Sequence, residues 1–342
     1  MLLAFELSGE HDTLPRAEVL ACFEALGIDY EEKRFFNQLL IVETDGFEGE
    51  PFSKRLAMSR HIFEVLGICE AEKETILKMV DELKVGFGKG LSFGVRVKVK
   101  DSGLSSTDLE RSIGEAIHRK GYQVNLKTPG KIFRGVINGD LCVFGLLLSS
   151  VDRGRFEARL PHLRPFFFPG VLLPRIARTL VNLSRVRSGD ALFDPFCGTG
   201  GILIEGGYVG AELFGGDVQQ KMVAGSRTNL MHYGLDARLI VGDAMRVPLK
   251  DDSMDAVVID PPYGRSAIVK ARSIEELYRQ TLREVHRVLK EGRRLVIVSD
   301  FSFDEQIEEG FEIEERHSYR VHKSMTRHIT VLVKSSMNAI PV

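Results

Sequence analysis

At 342 residues, 44% of them hydrophobic, the chain is long enough for about two globular domains. No apolar run reaches the roughly 18 residues of a membrane span, the longest being Leu141 to Leu148, and the start Met1 to Leu7 has no basic residue and contains Glu6; a membrane or secreted protein is therefore not expected, and a cytoplasmic one is. The formal net charge of -2 hides a polarity along the chain, with 3 Lys/Arg against 12 Asp/Glu in residues 1–50, 20 against 13 in residues 51–164, and 23 against 23 in the remainder.

In chain order, Pro15 to Leu26 reads as an amphipathic helix, Leu39 to Val42 as a strand, and Lys54 to Leu66 and Ala71 to Lys84 as helices. Ser92 to Val99 alternates as a strand whose polar face carries Arg96, Lys98 and Lys100. Leu109 to Lys120 is a further helix. Val124 to Leu126 and the turn Thr128-Pro129-Gly130 then lead to strands at Ile132 to Ile137 and Leu141 to Leu147. This half reads as α+β. Four cysteines, Cys22, Cys69, Cys142 and Cys197, form no C-x-x-C pair, so no metal site is expected.

The basic excess beside an acidic lobe suggests a polyanion on one side of the molecule. Its densest part is the expected linker, residues 151–168, where Arg153, Arg155, Arg159 and Arg164 interleave with Phe156, Phe166, Phe167 and Phe168. Two readings of that segment stand side by side: arginines that hold phosphates, or a linker whose phenylalanines pack on both neighbours.

From Pro169 the pattern becomes α/β. A strand at Ala191 to Phe193 runs into Asp194-Pro195-Phe196-Cys197-Gly198-Thr199-Gly200-Gly201 and the helical Ile202 to Glu205, a strand, glycine turn and helix start suited to a nucleotide-like ligand. A dinucleotide fingerprint from Gly198 would need glycine where Leu203 stands, and an ATP loop would need Gly-Lys-Ser/Thr, which is missing. The next strands, Ala211 to Gly216 and Ala237 to Gly242, end at Asp217, placed to accept from two ribose hydroxyls, and Asp243, suited to an adenine amine. A fourth, Ala256 to Ile259, delivers Asp260-Pro261-Pro262-Tyr263 to the sheet rim. These residue types suit methyl transfer to a planar exocyclic amine. The amine's lone pair is delocalised into its ring, so it needs acceptors: the Asp260 carboxylate and the Pro261 carbonyl, aimed by two prolines with fixed φ, beside the flat face of Tyr263.

This constellation resembles the class I S-adenosylmethionine-dependent methyltransferases that methylate amines, from about Pro169 onward. The resemblance implies a Rossmann-like sheet. It places Asp194, Pro195, Phe196, Cys197, Gly198, Thr199 and Gly200 under the methionine part of the cofactor, Asp217 and Val218 at the ribose, Asp243 and Ala244 at the adenine, and Asp260, Pro261, Pro262 and Tyr263 at the methyl acceptor. Residues 54–148 resemble a THUMP domain, an RNA-binding module, through Arg60-His61-Ile62-Phe63-Glu64-Val65, Ser92 to Lys98, Leu109-Glu110-Arg111-Ser112-Ile113-Gly114 and Val124 to Gly130. The first fifty residues resemble the ferredoxin-like lobe that precedes such modules.

Together these halves are similar to archaeal tRNA guanine-N2-methyltransferases, above all those acting on guanosine 10. The expected layout is a lobe at 1–50, a THUMP domain at 51–150, a linker at 151–168 and a methyltransferase domain at 169–342. The resemblance implies tRNA as partner, S-adenosyl-L-methionine as cofactor, and a monomer. It leaves open which guanosine is modified, the number of methyl groups and any activating subunit. Arg96, Lys98, Lys127, Arg159, Arg164, Arg265, Arg320 and Lys323 are the candidates for RNA contact. A fragment starting near Pro165 is expected to bind the cofactor but not to methylate tRNA. Alternatives are methylation of adenine N6 in DNA, a role as an RNA-binding subunit that needs a partner, and a thiolation enzyme, which would need the missing ATP loop.

Overall fold

The structure is a computed structural model and describes residues 1–84, 86–88, 90–262, 273–307, 310–322 and 325–335. The chain runs β1 (Leu2–Leu7), α1 (Leu14–Leu26), β2 (Tyr30–Phe36), β3 (Leu39–Thr44), α2 (Gly49–Arg55), β4 (Ser59–Glu70), α3 (Lys73–Glu82), β5 (Ser92–Lys100), α4 (Ser106–Arg119), β6 (Gln123–Val124), β7 (Lys131–Asn138) and β8 (Leu141–Ser150). It continues with α5 (Gly154–Glu157), α6 (Pro174–Leu183), β9 (Ala191–Asp194), α7 (Gly201–Gly207), β10 (Glu212–Asp217), α8 (Gln220–His232), β11 (Ala237–Val241), β12 (Met254–Ile259), α9 (Ile274–Val288), β13 (Leu289–Ser299), β14 (Phe311–His322) and β15 (Met325–Lys334). Two compact units form: Met1–Gly9, Ile28–Lys54 and Ser59–Asp152 make the first, and Glu10–Gly27, Arg55–Met58 and Arg153–Val342 the second. Among the described residues no helix is long and apolar enough to cross a membrane.

The first unit is built on an eight-stranded sheet of order β2-β3-β1-β4-β8-β7-β5-β6. The alternation in β5 sends Phe93, Val95 and Val97 to one face, where Ile76 and Val80 of α3 and Leu109, Ile113 and Ile117 of α4 cover them. α4 begins where it does because the Ser105 hydroxyl accepts the Asp108 N–H at 3.4 Å.

Two sequence-based expectations fail in this unit. Residues 59–66, expected in a helix, belong to β4, which pairs with β1 on one side and β8 on the other. Its apolar residues have a spacing that either structure can use, and hydrogen bonding along both edges decides for the strand. The border at residues 50/51 also falls within a single sheet, because β1 pairs with both β3 and β4.

The second unit carries a seven-stranded sheet of order β11-β10-β9-β12-β13-β15-β14. Its first five strands are parallel, and β15 runs antiparallel to β13 and β14. One face packs Leu192, Ala256, Val258 and Val296 against Ala177, Leu180 and Val181 of α6, Ile202 to Ile204 of α7, and Leu14, Ala17 and Ala21 of α1. The other face packs Phe193, Val257, Ile259 and Ile297 against Tyr278, Leu282 and Val285 of α9. This is a doubly wound α/β sheet, as expected. Strand order reverses between β9 and β12, so their carboxyl ends border the crevice where such sheets bind ligands.

The expected start of this domain at residue 169 is corrected by burial. α1 is held in the unit by Glu18, whose fully buried carboxylate accepts from the N–H of Met58 at 2.8 Å, the N–H of Ala57 at 3.0 Å, Asn182 Nδ2 at 2.9 Å and Thr179 Oγ1 at 3.2 Å. Burial raises the Glu18 pKa, and these four donors partly counter it. The expected linker is likewise docked: Phe156 is 1% exposed, and residues 153–164 belong to the second unit.

Candidate active site

The glycine turn after β9 is shaped by backbone needs. Gly198 and Gly200 have φ of 50° and 81°, and a Cβ on Gly200 would lie 2.6 Å from Ser226 Oγ, so only glycine fits there. The Cys197 N–H donates to the Gly216 carbonyl at 2.8 Å, tying the turn to β10. Asp217, at the end of β10, accepts from the N–H of Gly198 at 3.2 Å and of Gln219 at 2.9 Å. Its carboxylate thus braces the turn and has lone pairs left for a ligand hydroxyl. Asp243 accepts the Met245 N–H at 3.0 Å in the same manner.

Asp194 is 1% exposed and accepts the Phe196 N–H at 3.0 Å. Burial pushes its carboxyl well above the ordinary range, and the nearby charges of Asp260 and Asp217 push it further. The Cys197 thiol is also raised well above its usual value by burial and then by Asp194 and Asp217, which leaves it unreactive, a small apolar filler as its residue type suggests.

These elements line one cleft of about 660 Å³, within the range of small-molecule sites. Asp194, Pro195, Phe196, Cys197, Gly198, Thr199, Asp217, Val218, Asp243, Ala244, Asp260, Pro261 and Pro262 all border it; Gly200 does not. Tyr263 and Arg265 lie outside the described residues, as does Lys323. The sequence reading gave no site role to a strap of residues 168–172, which also lines the cleft. The run Phe166-Phe167-Phe168 gave no signal for it, because Phe167 and Phe168 are exposed just as in a solvated linker.

Two of the proposed RNA contacts are corrected. Arg159 is 6% exposed, and its guanidinium pairs with Glu205 of α7 through Nε at 2.8 Å and Nη2 at 3.0 Å. Arg178 completes a buried triad, with Nη2 2.9 Å from Glu205 Oε2, the oxygen that Arg159 Nη2 also reaches. Arg164 is 4% exposed, its Nε donating to the Arg159 carbonyl at 3.1 Å. Neither can reach a phosphate without leaving the core: Arg159 is held by the buried Glu205 carboxylate, and the Arg164 side chain is buried against the Arg159 backbone. Of the remaining candidates, Lys98 is paired with Glu6 at 2.8 Å, and Arg96 donates to the carbonyls of Val95 and Leu126. Lys127 and Arg320 are exposed.

A family described as "RMKL-like, methyltransferase domain" matches residues 161–329. The tRNA (guanine(10)-N2)-dimethyltransferase of Methanothermobacter thermautotrophicus is 38% identical over 330 residues, covering 95% of this chain and 97% of that one. The protein of the same name from Methanocaldococcus jannaschii is 32% identical, covering 97% and 100%. Among solved structures, TrmN from Thermus thermophilus superposes with a TM-score of 0.57 at 21% identity over 98% of this chain and all of that one. SMU.472 complexed with SAH gives 0.54 at 14% identity, over 98% of each chain.

Proposed function

Because this chain belongs to the family of archaeal tRNA (guanine(10)-N2)-dimethyltransferases, we propose that its cleft methylates the exocyclic N2 of guanosine 10 in tRNA, twice in succession. The carrying observation is the meeting of four strand-end carboxylates, Asp194, Asp217, Asp243 and Asp260, with Pro261-Pro262 in a single crevice at the switch point of the sheet. S-adenosylmethionine supplies an electrophilic methyl group on a sulfonium. The residues fit it: the glycine turn allows close backbone approach, Asp217 accepts from the ribose hydroxyls, and Asp243 from the adenine amine.

The chain's task is then positioning. Asp260 and the Pro261 carbonyl each accept an N–H of the guanine amine, turning its lone pair out of the ring plane, with Tyr263 as the stacking surface. Each transfer forms an N–C bond as the C–S bond breaks, the sulfur leaving as the neutral thioether of S-adenosylhomocysteine and one amine proton passing to solvent. After two rounds the nitrogen has no N–H left for either acceptor, so the product loses its hold on the site. The first unit, with its THUMP-like sequence, is assigned the phosphates of the tRNA, and the enzyme works in this reading as a cytoplasmic monomer.

Incubating unmodified tRNA with labelled S-adenosylmethionine and analysing the nucleosides by mass spectrometry should give N2,N2-dimethylguanosine, and none when guanosine 10 is changed to adenosine. Label on an adenine, or label that survives the change at position 10, would sink the proposal. Asp217→Ala is expected to weaken S-adenosylmethionine binding by about 10- to 150-fold, the loss of a charged acceptor. Calorimetry decides it. An unchanged dissociation constant would leave Asp217 with only its two backbone N–H groups to brace.

A further inference from the structure

Asn229 of α8 does not line the cleft itself, yet its fully buried side chain ties together the backbone of two segments, one in the cleft lining and one leading into it. Its Oδ1 accepts the Phe166 N–H at 2.9 Å, and its Nδ2 donates to the Phe166 carbonyl at 2.9 Å and to the Thr199 carbonyl at 2.9 Å. Thr199 belongs to the glycine turn and borders the cleft, while Phe166 sits two residues before the strap at 168–172 that lines it as well. Both N–H donors of the amide, and one lone pair of its oxygen, are spent on these two backbone segments.

Neighbouring positions of α8 reinforce the same two contacts. The Phe166 ring packs against Gly225, where a Cβ would come to 2.0 Å from it, and Ser226 fills the space that a side chain on Gly200 would need. One helix face therefore sets the spacing between the glycine turn and the strap, without reaching the ligand itself.

We propose that Asn229 is a positioning residue for cofactor binding, coupling Phe166, and through it the strap at 168–172, to the Gly198–Gly201 turn so that the cleft has the width the cofactor requires. This rests on the reading of the cleft as the S-adenosylmethionine site. An unmade bond here leaves the Thr199 and Phe166 backbone groups unsatisfied and lets the two segments part, which lowers cofactor affinity and leaves the acceptors at Asp260 and Pro261 in place.

The test is Asn229→Asp in the full chain, with S-adenosylhomocysteine titrated by calorimetry from pH 5 to pH 8. The introduced carboxyl keeps the acceptor for the Phe166 N–H. When protonated it can still donate to one carbonyl; when ionised it faces the Phe166 and Thr199 carbonyls as a like charge. Burial raises its pKa, so the protonated form persists at low pH and is lost as pH rises. The variant's dissociation constant relative to wild type should therefore climb with pH, reaching about tenfold or more at pH 8. The KM for S-adenosylmethionine should rise with it while kcat stays within a few-fold.

Gly225→Ala, which pushes the Phe166 ring away and leaves Asn229 intact, should weaken binding without the pH dependence, and it serves if the Asp variant fails to fold. Variants that melt earlier but bind the ligand as wild type does overturn the proposal. A wild-type protein that binds no S-adenosylhomocysteine would overturn the cofactor reading instead.

Discussion

Asp260→Ala is expected to reduce methyl transfer by about 10²–10³-fold or to background, while the affinity for S-adenosylhomocysteine stays within a few-fold of wild type. A preorganised polar group aimed at the reacting centre contributes on this scale when removed. Asp260 follows Ile259 at the end of β12, next to β9 at the switch point, away from Asp217 and Asp243 at the ends of β10 and β11. The charge it places near Asp194 is one cause of that group's raised pKa, after burial itself.

Removing Asp260 relieves that repulsion. A carboxyl whose folded pKa is raised takes up more protons in the folded state, so its ionisation lowers stability as pH climbs through and above the ordinary carboxylate range. Asp260→Ala should accordingly melt no earlier than wild type at neutral pH, and the loss of activity cannot be ascribed to unfolding. Single-turnover methylation of tRNA and thermal melts of the same preparation check both statements. Near-normal turnover would remove Asp260 from the mechanism.

The second large effect is structural. A fragment beginning at Pro165 is expected to lack a cooperative melt and to bind no cofactor, the reverse of what the sequence suggests. It omits α1, so Leu14, Ala17 and Ala21 leave the apolar cluster around Ala177, Leu180 and Val181. It omits Glu18 and Arg55, whose carboxylate and carbonyl are the two acceptors of the Asn182 amide of α6. It also omits Arg159, and opening a buried charge cluster such as Arg159–Glu205–Arg178 costs about 3–5 kcal/mol. A typical net stability is only about 5–15 kcal/mol, and each large truncation of a core costs a further ~2–5 kcal/mol. Scanning calorimetry and cofactor titration of the fragment settle the matter. A sharp transition with intact binding would mean that α1 and residues 153–164 are dispensable.

The difference between the two accounts follows the range of the interactions. β9, β10, β11 and β12, each leading to an aspartate, were legible because a short apolar run ending in a polar turn is a local pattern, and the glycines at 198 and 200 answer to local backbone geometry. α3, α4 and β5 were likewise found from their own periodicity. β4 was misread as a helix because spacing alone does not separate the two structures over a short window; its partners β1 and β8 lie at both ends of the first unit's sequence.

Charge was the other divide. Arg159 and Arg164 look in sequence like any basic linker suited to phosphates, and only burial against Glu205 and the backbone reveals them as core residues. Asn229 left no mark, since an asparagine in a helix is unremarked until the chain brings Phe166 and Thr199 to it from positions 63 and 30 residues away. The sequence by itself determined the sheet's order of strand-end acids, the chemistry those acids suit and the family resemblance. Tertiary structure alone decided which cations are buried, that α1 belongs with the second unit, and how the two segments at the cleft are held, because each depends on contacts between segments far apart in the chain that no local pattern encodes.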